Sequence, residues 1–238
     1  MSQGLPHPDA PAAAPRPGAK AFCSFSGGKD SCLALWKARA EGLDVSTLLV
    51  MMDESGERSR SHGLRSALLK RQAASLGARL VTGSAGWKNY EAVFLEILRV
   101  LRAEGHEVGV FGDIDLLAHR QWEEAVCAAA GLRAHLPLWQ ADRGALAREL
   151  LQLGFRAVVV CVDSRFLDDS FVGRDYDEKF LADLPDGVDA CGENGEFHTF
   201  VHDGPGFATP ISFELKGKDE YVAPESLGGA RYCFARLE

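Results

Sequence analysis

Ser26-Gly27-Gly28-Lys29-Asp30-Ser31 stands between an apolar run, Ala21–Phe25, and Cys32-Leu33-Ala34-Leu35-Trp36, which carries helical periodicity. A strand, a turn of small residues and a helix aim backbone N–H groups and a helix N-terminus at one point, and such a point attracts an anion. Lys29 adds a positive charge beside it. The stretch predicts a nucleotide phosphate site at the end of a first strand.

Outward from this stretch the same alternation repeats. Val45–Met52 is a continuous apolar run with β-branched residues, as a strand buried on both faces requires. A polar loop with Arg58, Arg60 and His62 follows, then a helix over Leu64–Leu76 closed by Gly77, and a short strand over Ala78–Thr82. Helices are predicted over Tyr90–Ala103, Trp122–Ala130 and Ala145–Leu153, each followed by a glycine, and strands over Val108–Gly112 and Ala157–Val162. This pattern predicts an α/β fold with a doubly wound, mostly parallel, Rossmann-like sheet. Beyond about Asp163 it changes. Phe166–Leu184 reads as partly helical, Cys191–Pro205 as glycine-rich and polar, and Ile211–Leu215 and Arg231–Leu237 as antiparallel strands. The expected organisation is a tail over 1–19, a nucleotide-binding domain over 20–163 and a smaller α+β lobe over 164–238.

The 238 residues, 46% hydrophobic and 25% charged, suffice for a sizeable core. No apolar run reaches the ~20 residues of a membrane helix, and the Pro- and Ala-rich start lacks the apolar centre of a secretory signal. Six scattered cysteines without a C-x-x-C pair read as buried, reduced thiols in a cytoplasmic protein. A net charge of -8 argues against a nucleic-acid partner.

Against the G-x-x-x-x-G-K-[ST] loop of P-loop NTPases, the chain has Cys23 in place of the first glycine and Asp30 in place of the metal-binding hydroxyl. Nor does it carry the G-x-G-x-x-G of a dinucleotide fold. The hexapeptide S-G-G-K-D-S instead resembles the loop of the PP-loop (N-type) ATP pyrophosphatases, which cleave ATP between the α- and β-phosphates and adenylate a substrate oxygen. Further motifs are Ser61-His62-Gly63, Gly112-Asp113-Ile114, His119-Arg120, Leu136-Pro137-Leu138-Trp139, Gly173-Arg174-Asp175 and Cys191-Gly192-Glu193-Asn194-Gly195-Glu196-Phe197-His198-Thr199. Their order resembles the diphthine–ammonia ligase family and its bacterial relatives, over about Ala21 to Pro205. Diphthamide-forming members commonly carry a carboxylate where this chain has His198; the form E-N-G-E-F-H-T is similar to that of the bacterial relatives, which leaves the acceptor open.

The resemblance implies an ATP site built from Ser26, Gly27, Gly28, Lys29, Asp30, Ser31, Met51, His62, Gly63 and Asp113, with Asp30 also facing Mg2+. It implies catalytic roles for Lys29, Asp30, Glu193 and Glu196, and a substrate-side wall of Arg174, Glu193, Asn194, Glu196 and His198. On the residues alone, Asp113 is a metal or ribose ligand or the cap of the next helix. His62 flanks the adenosine or is an exposed neighbour of a capping Ser61. The Glu193–His198 segment binds the substrate amine, holds Mg2+ or does acid–base work on ammonia, or is a polar hairpin edge. His202 would share a strand face with His198, although no cysteine pair completes a zinc set. Arg174 is read as a carboxylate or phosphate clamp.

The expected reaction is amide formation: a substrate carboxylate is adenylated with release of pyrophosphate, and ammonia then displaces AMP. The expected partners are ATP, a carboxylate-bearing small molecule or protein side chain, ammonia and a second copy of the chain in a homodimer, with no membrane. The alternatives on the same loop are a tRNA-modifying sulfurtransferase or lysidine-type synthetase, and a non-catalytic ATP- or AMP-binding protein.

Overall fold

The computed structural model describes residues 15–223 and 229–238. Five strands form the first sheet: β1 (Lys20–Ser24), β2 (Asp44–Met52), β3 (Arg79–Ser84), β4 (Val108–Val110) and β5 (Arg133–His135). Their order is β3-β2-β1-β4-β5 and every neighbouring pair is parallel. The order reverses between β1 and β4, so the carboxyl ends of these two strands flank the crevice where such sheets take ligands.

Helices cover both faces. α1 (Lys29–Ala40), α2 (Ser66–Ser75) and α5 (Arg143–Gln152) bury Leu33, Leu69 and Leu146 in one core; α3 (Tyr90–Ala103) and α4 (Leu117–Ala129) bury Phe94, Leu98 and Val126 in a second core with Phe22 and Phe111. Helices on both sides leave β1, β2 and β4 buried, which is why their sequences are apolar without alternation.

The second sheet, in the order β7-β6-β9-β8, is antiparallel and comprises β6 (Arg156–Asp163), β7 (Phe197–Asp203), β8 (Leu215–Val222) and β9 (Arg231–Leu237). A five-residue helix, α6 (Glu178–Ala182), precedes β7. Val158, Val160, Phe200 and Val201 of this sheet share the core of α1 and α2, so the two sheets are fused through one apolar interior.

Several expectations are corrected. Ala157–Val162 is a strand, but it pairs with β7 and β9 rather than with the parallel sheet; a strand central to an antiparallel sheet and buried on both faces is as apolar as a parallel one. β7 arises inside the segment read as glycine-rich and polar. The strand placed at Ile211–Leu215 begins only at Leu215, and α4 starts at Leu117 rather than Trp122. Of the stretch 1–19, residues 1–14 lie outside the described ones. Its end belongs to the fold: Gly18 N donates to Gly42 O at 2.7 Å and Ala19 is buried.

Candidate active site

The loop after β1 is built from its own hydroxyls. Ser31 Oγ accepts from Ser26 N at 3.3 Å and donates to Gly28 O at 3.0 Å, and the hydroxyls of Ser26 and Ser31 lie 3.2 Å apart. Gly27 adopts φ +83°, where a Cβ would also lie 2.7 Å from Gln72 Oε1. The buried Gln72 amide donates to Gly27 O and Val201 O, and Lys29 N donates to Thr199 Oγ1 at 3.1 Å, so β7 of the second sheet clamps the loop. α1 begins without a side-chain cap. Thr199 takes the N–H of Lys29; the rest of the first turn, whose N–H groups no helix can satisfy internally, lies at a cleft of about 700 Å³ lined by Ser26, Lys29, Asp30, Ser31, Asp113, Glu193 and His198, among others. Gly112 lets the end of β4 close on α1: a Cβ there would lie 3.0 Å from Asp30 C and Ser31 N.

Lys29 lines the cleft with only 5% of its side chain exposed. Its buried ammonium pairs with Asp30 at 2.6 Å, donates to Cys191 O and lies 5.5 Å from the Phe197 ring centre. Burial opposes this charge, but Asp30 foremost holds the ammonium above its ordinary pKa. Lys29 thereby fastens the Cys191–Gly195 loop to the loop after β1. Arg143 ties the same loop to the end of β4, bonding Asp115 at 2.8 Å through Nε and Asp189 at 3.0 Å. Glu196 is buried and accepts from Asn194 N, Asn194 Nδ2 and Asp189 N. It is absent from the cleft lining and shapes the loop that presents Glu193.

Glu193 does face the cleft. Its Oε1 accepts from Ile114 N at 3.1 Å, yet burial, with Asp30 and Asp113 nearby, pushes its carboxyl up to about 7. It therefore gains and loses a proton near neutrality. The unfolded chain gives up this proton near 4.5 and the folded one near 7, so Glu193 costs stability increasingly as pH rises through that window. Glu193→Gln is expected to raise Tm at pH 8 and to leave it little changed at pH 4, by thermal melts at both.

At the end of β4, Asp113 Oδ1 accepts from His119 Nδ1 at 2.7 Å, and Glu123 hydrogen-bonds to the same carboxylate from α4. Glu123 is buried, and that burial together with Asp113 pushes it up to about 11. Asp113 caps nothing: Leu116 stands at the start of α4. Nor does Ser61 cap α2, which begins after Arg65.

His62 and His198 pack ring on ring, centroids 4.6 Å apart, above Gly28. Burial, more than the Lys29 charge, lowers His198 to about 4, and burial foremost holds His62 well below its usual range. Both line the cleft, as do Met51 and Asn194. Gly27, Gly28 and Gly63 do not; Gly63 packs against Phe234 at φ +65°. Arg174 is not brought to the site. It pairs with Asp183 at 2.6 Å and lies over the Phe171 ring. His202 packs edge-on against Phe213 rather than beside His198.

The residues that the sequence reading passed over include Gln72, Arg143 and Glu123, together with Arg60, whose guanidinium lies 4.0 Å from the centre of the exposed Trp87 ring at the cleft rim. Only Glu123 had a local signal: it follows His119 by four residues, on one helix face. Among the described residues, no three His, Cys, Asp or Glu side chains gather to hold a metal ion. Mg2+ carried by nucleotide phosphates needs only one or two carboxylates, and Asp30, with 30% of its side chain exposed at the cleft wall, fits that need.

Two family models match the chain: the diphthamide synthase N-terminal domain over residues 19–134 and the diphthamide synthase C-terminal domain over 142–222. Among curated proteins, the diphthine–ammonia ligase of Danio rerio is 27% identical over 212 residues, 79% of this chain and 83% of the relative. That of Mus musculus is 29% identical over 214 residues, 79% and 80% of the two chains. A solved structure described as a predicted subunit of tRNA methyltransferase from Methanocaldococcus jannaschii overlaps with a TM-score of 0.44 and 16% identity, covering 78% of this chain and 98% of that one.

Proposed function

Since the chain belongs to the diphthamide synthase (diphthine–ammonia ligase) family of ATP-dependent amide ligases, we propose that it adenylates a substrate carboxylate and converts it to an amide with ammonia. The observation that carries this reading is one cleft lined both by the Ser26–Ser31 loop with the first turn of α1 and by Glu193. The Ser26–Ser31 loop and the positive end of α1 receive the pyrophosphate end of ATP, where negative charge grows as the α–β bond breaks. Lys29 acts indirectly, by holding the loop and the Glu193 wall at a fixed separation. Asp30 would hold Mg2+ together with ATP, and the ion would supply further charge neutralisation. Orientation within the cleft makes attack by the carboxylate on the α-phosphorus effectively intramolecular.

Ammonia enters as ammonium. Glu193, ionised near neutrality, binds it and takes one proton. The acceptor is a carboxylate that fits beside the uncharged His62–His198 pair. Pyrophosphate release from ATP, measured across free amino acids, dicarboxylates and short peptides with and without ammonium, tests the reading. Release that depends on one carboxylate class supports it. ATP binding with no pyrophosphate release for any class favours a nucleotide-binding protein instead.

A further inference from the structure

We propose that Glu123, Asp113 and His119 form one acid–base unit in which Nε2 of His119 takes the proton lost by the amine as it attacks the activated carboxylate. The inference rests on the ligase reading above and adds a catalytic residue to it.

The geometry is directional. Asp113, at the carboxyl end of β4, binds Nδ1 of His119 at 2.7 Å, which leaves Nε2 as the free nitrogen of a ring that lines the cleft. Glu123 stands four residues beyond His119 on α4, hydrogen-bonds to Asp113 and is 4% exposed. Its Oε2 is buried without a hydrogen-bond partner, as suits a neutral carboxyl group better than a charged one. A protonated Glu123 donates to Asp113 and keeps that carboxylate ionised and oriented toward the imidazole. This is the logic of a base whose tautomer is fixed by a carboxylate behind it. The groups facing His119 are Asp113 from the end of β4 and Glu193 from the Cys191–Gly195 loop, and both raise its pKa, with the Asp113 hydrogen bond the larger influence.

The stoichiometry calls for a second base. Ammonium and an acyl adenylate give amide, AMP and two protons. Glu193 accounts for the first. In the second step, the ammonia lone pair forms the C–N bond, an N–H proton passes to His119 Nε2, and the C–O bond to the phosphate breaks with its electron pair leaving on AMP. The imidazolium, stabilised by Asp113, then returns the proton to solvent.

Three variants of the full chain test this with ATP, Mg2+ and the carboxylate panel, using ammonium or hydroxylamine as nucleophile. Hydroxylamine is the weaker base, already neutral at neutral pH, and its adduct sheds a proton more readily. His119→Gln is expected to cut ammonia-dependent amide formation ~100-fold or more, hydroxylamine-dependent formation far less, and first-turnover pyrophosphate release least. Glu123→Ala should lower amide formation about tenfold, within the range of acid–base contributions, and Glu123→Gln should restore it, because the glutamine amide also donates to Asp113. Imidazole NMR of the wild type should show the Nδ1–H tautomer at His119, with the pKa falling in Asp113→Asn. Equal ammonia-dependent rates in His119→Gln and wild type, or an Nε2–H tautomer, would overturn the inference alone. A wild type that releases no pyrophosphate with any carboxylate would overturn the ligase reading and the inference with it.

Discussion

Lys29→Met is expected to abolish carboxylate-dependent pyrophosphate release, by ~100-fold or more, although the ammonium is spent on Asp30 and the Cys191 carbonyl. The substitution leaves the Asp30 carboxylate and the Cys191 carbonyl without their shared donor. Removing one partner of a fully buried pair costs about 3 kcal/mol or more; with 30% of the Asp30 side chain exposed, the loss here is smaller. The methionine fills the space of the aliphatic stem, so the loss isolates the ammonium. Two measurements separate the two consequences: thermal melts report the lost pair, and ATP affinity reports the loop. If Lys29 instead balanced phosphate charge directly, ATP affinity would fall while stability held or rose. The indirect role predicts that both fall together.

Gly192→Ala should be comparably severe from the opposite wall. Gly192 has φ +64°, and a Cβ there would lie 2.8 Å from the Phe197 carbonyl oxygen and 3.0 Å from its ring. The left-handed backbone alone costs about 1–2 kcal/mol for a residue with a Cβ, and the carbonyl, held in the β6–β7 ladder, cannot retreat freely. The loop must move, and Glu193 moves with it. A shift of about 1 Å is enough to lower turnover ~100-fold. The expected signature is a modest fall in Tm, a large fall in product formation and a smaller fall in ATP affinity, since Cys191 of the moving loop is tied to Lys29. Denaturation curves, turnover and nucleotide titration of one preparation check all three.

The part of this arrangement that was legible in the sequence is the part fixed by local chemistry. Ser26–Ser31 needs its glycines for φ +83° at Gly27 and for the approach of His62 to Gly28, and its place after an apolar strand is plain in the primary structure. Gly112-Asp113 likewise announces the end of β4. What escaped depends on contacts distant in sequence. The apolar run of β6 says that the strand is buried but not which sheet buries it. β5 has three residues and half-buried positions only, too short to stand out. Arg174 looked like a clamp because guanidinium forks suit carboxylates, and one does engage it, but the partner is Asp183 of its own chain. Lys29 is legible as a cation in the loop; that its ammonium also meets the carbonyl of Cys191, 162 residues away, is a property of the fold. Glu196 and Glu193 read as equivalent carboxylates, and only the packing of Asp189 and Asn194 separates the structural one from the one facing the cleft.

The central claim is cleavage of ATP between the α- and β-phosphates with transfer of AMP to a carboxylate oxygen. Its most direct test is 31P NMR of a reaction containing the protein, ATP, Mg2+, ammonium and a pool of carboxylates labelled with 18O. The account predicts AMP and pyrophosphate in equal amounts, with the isotope shift of one 18O on the AMP phosphorus and none on pyrophosphate. ADP and inorganic phosphate as products, or AMP without the label, would contradict it.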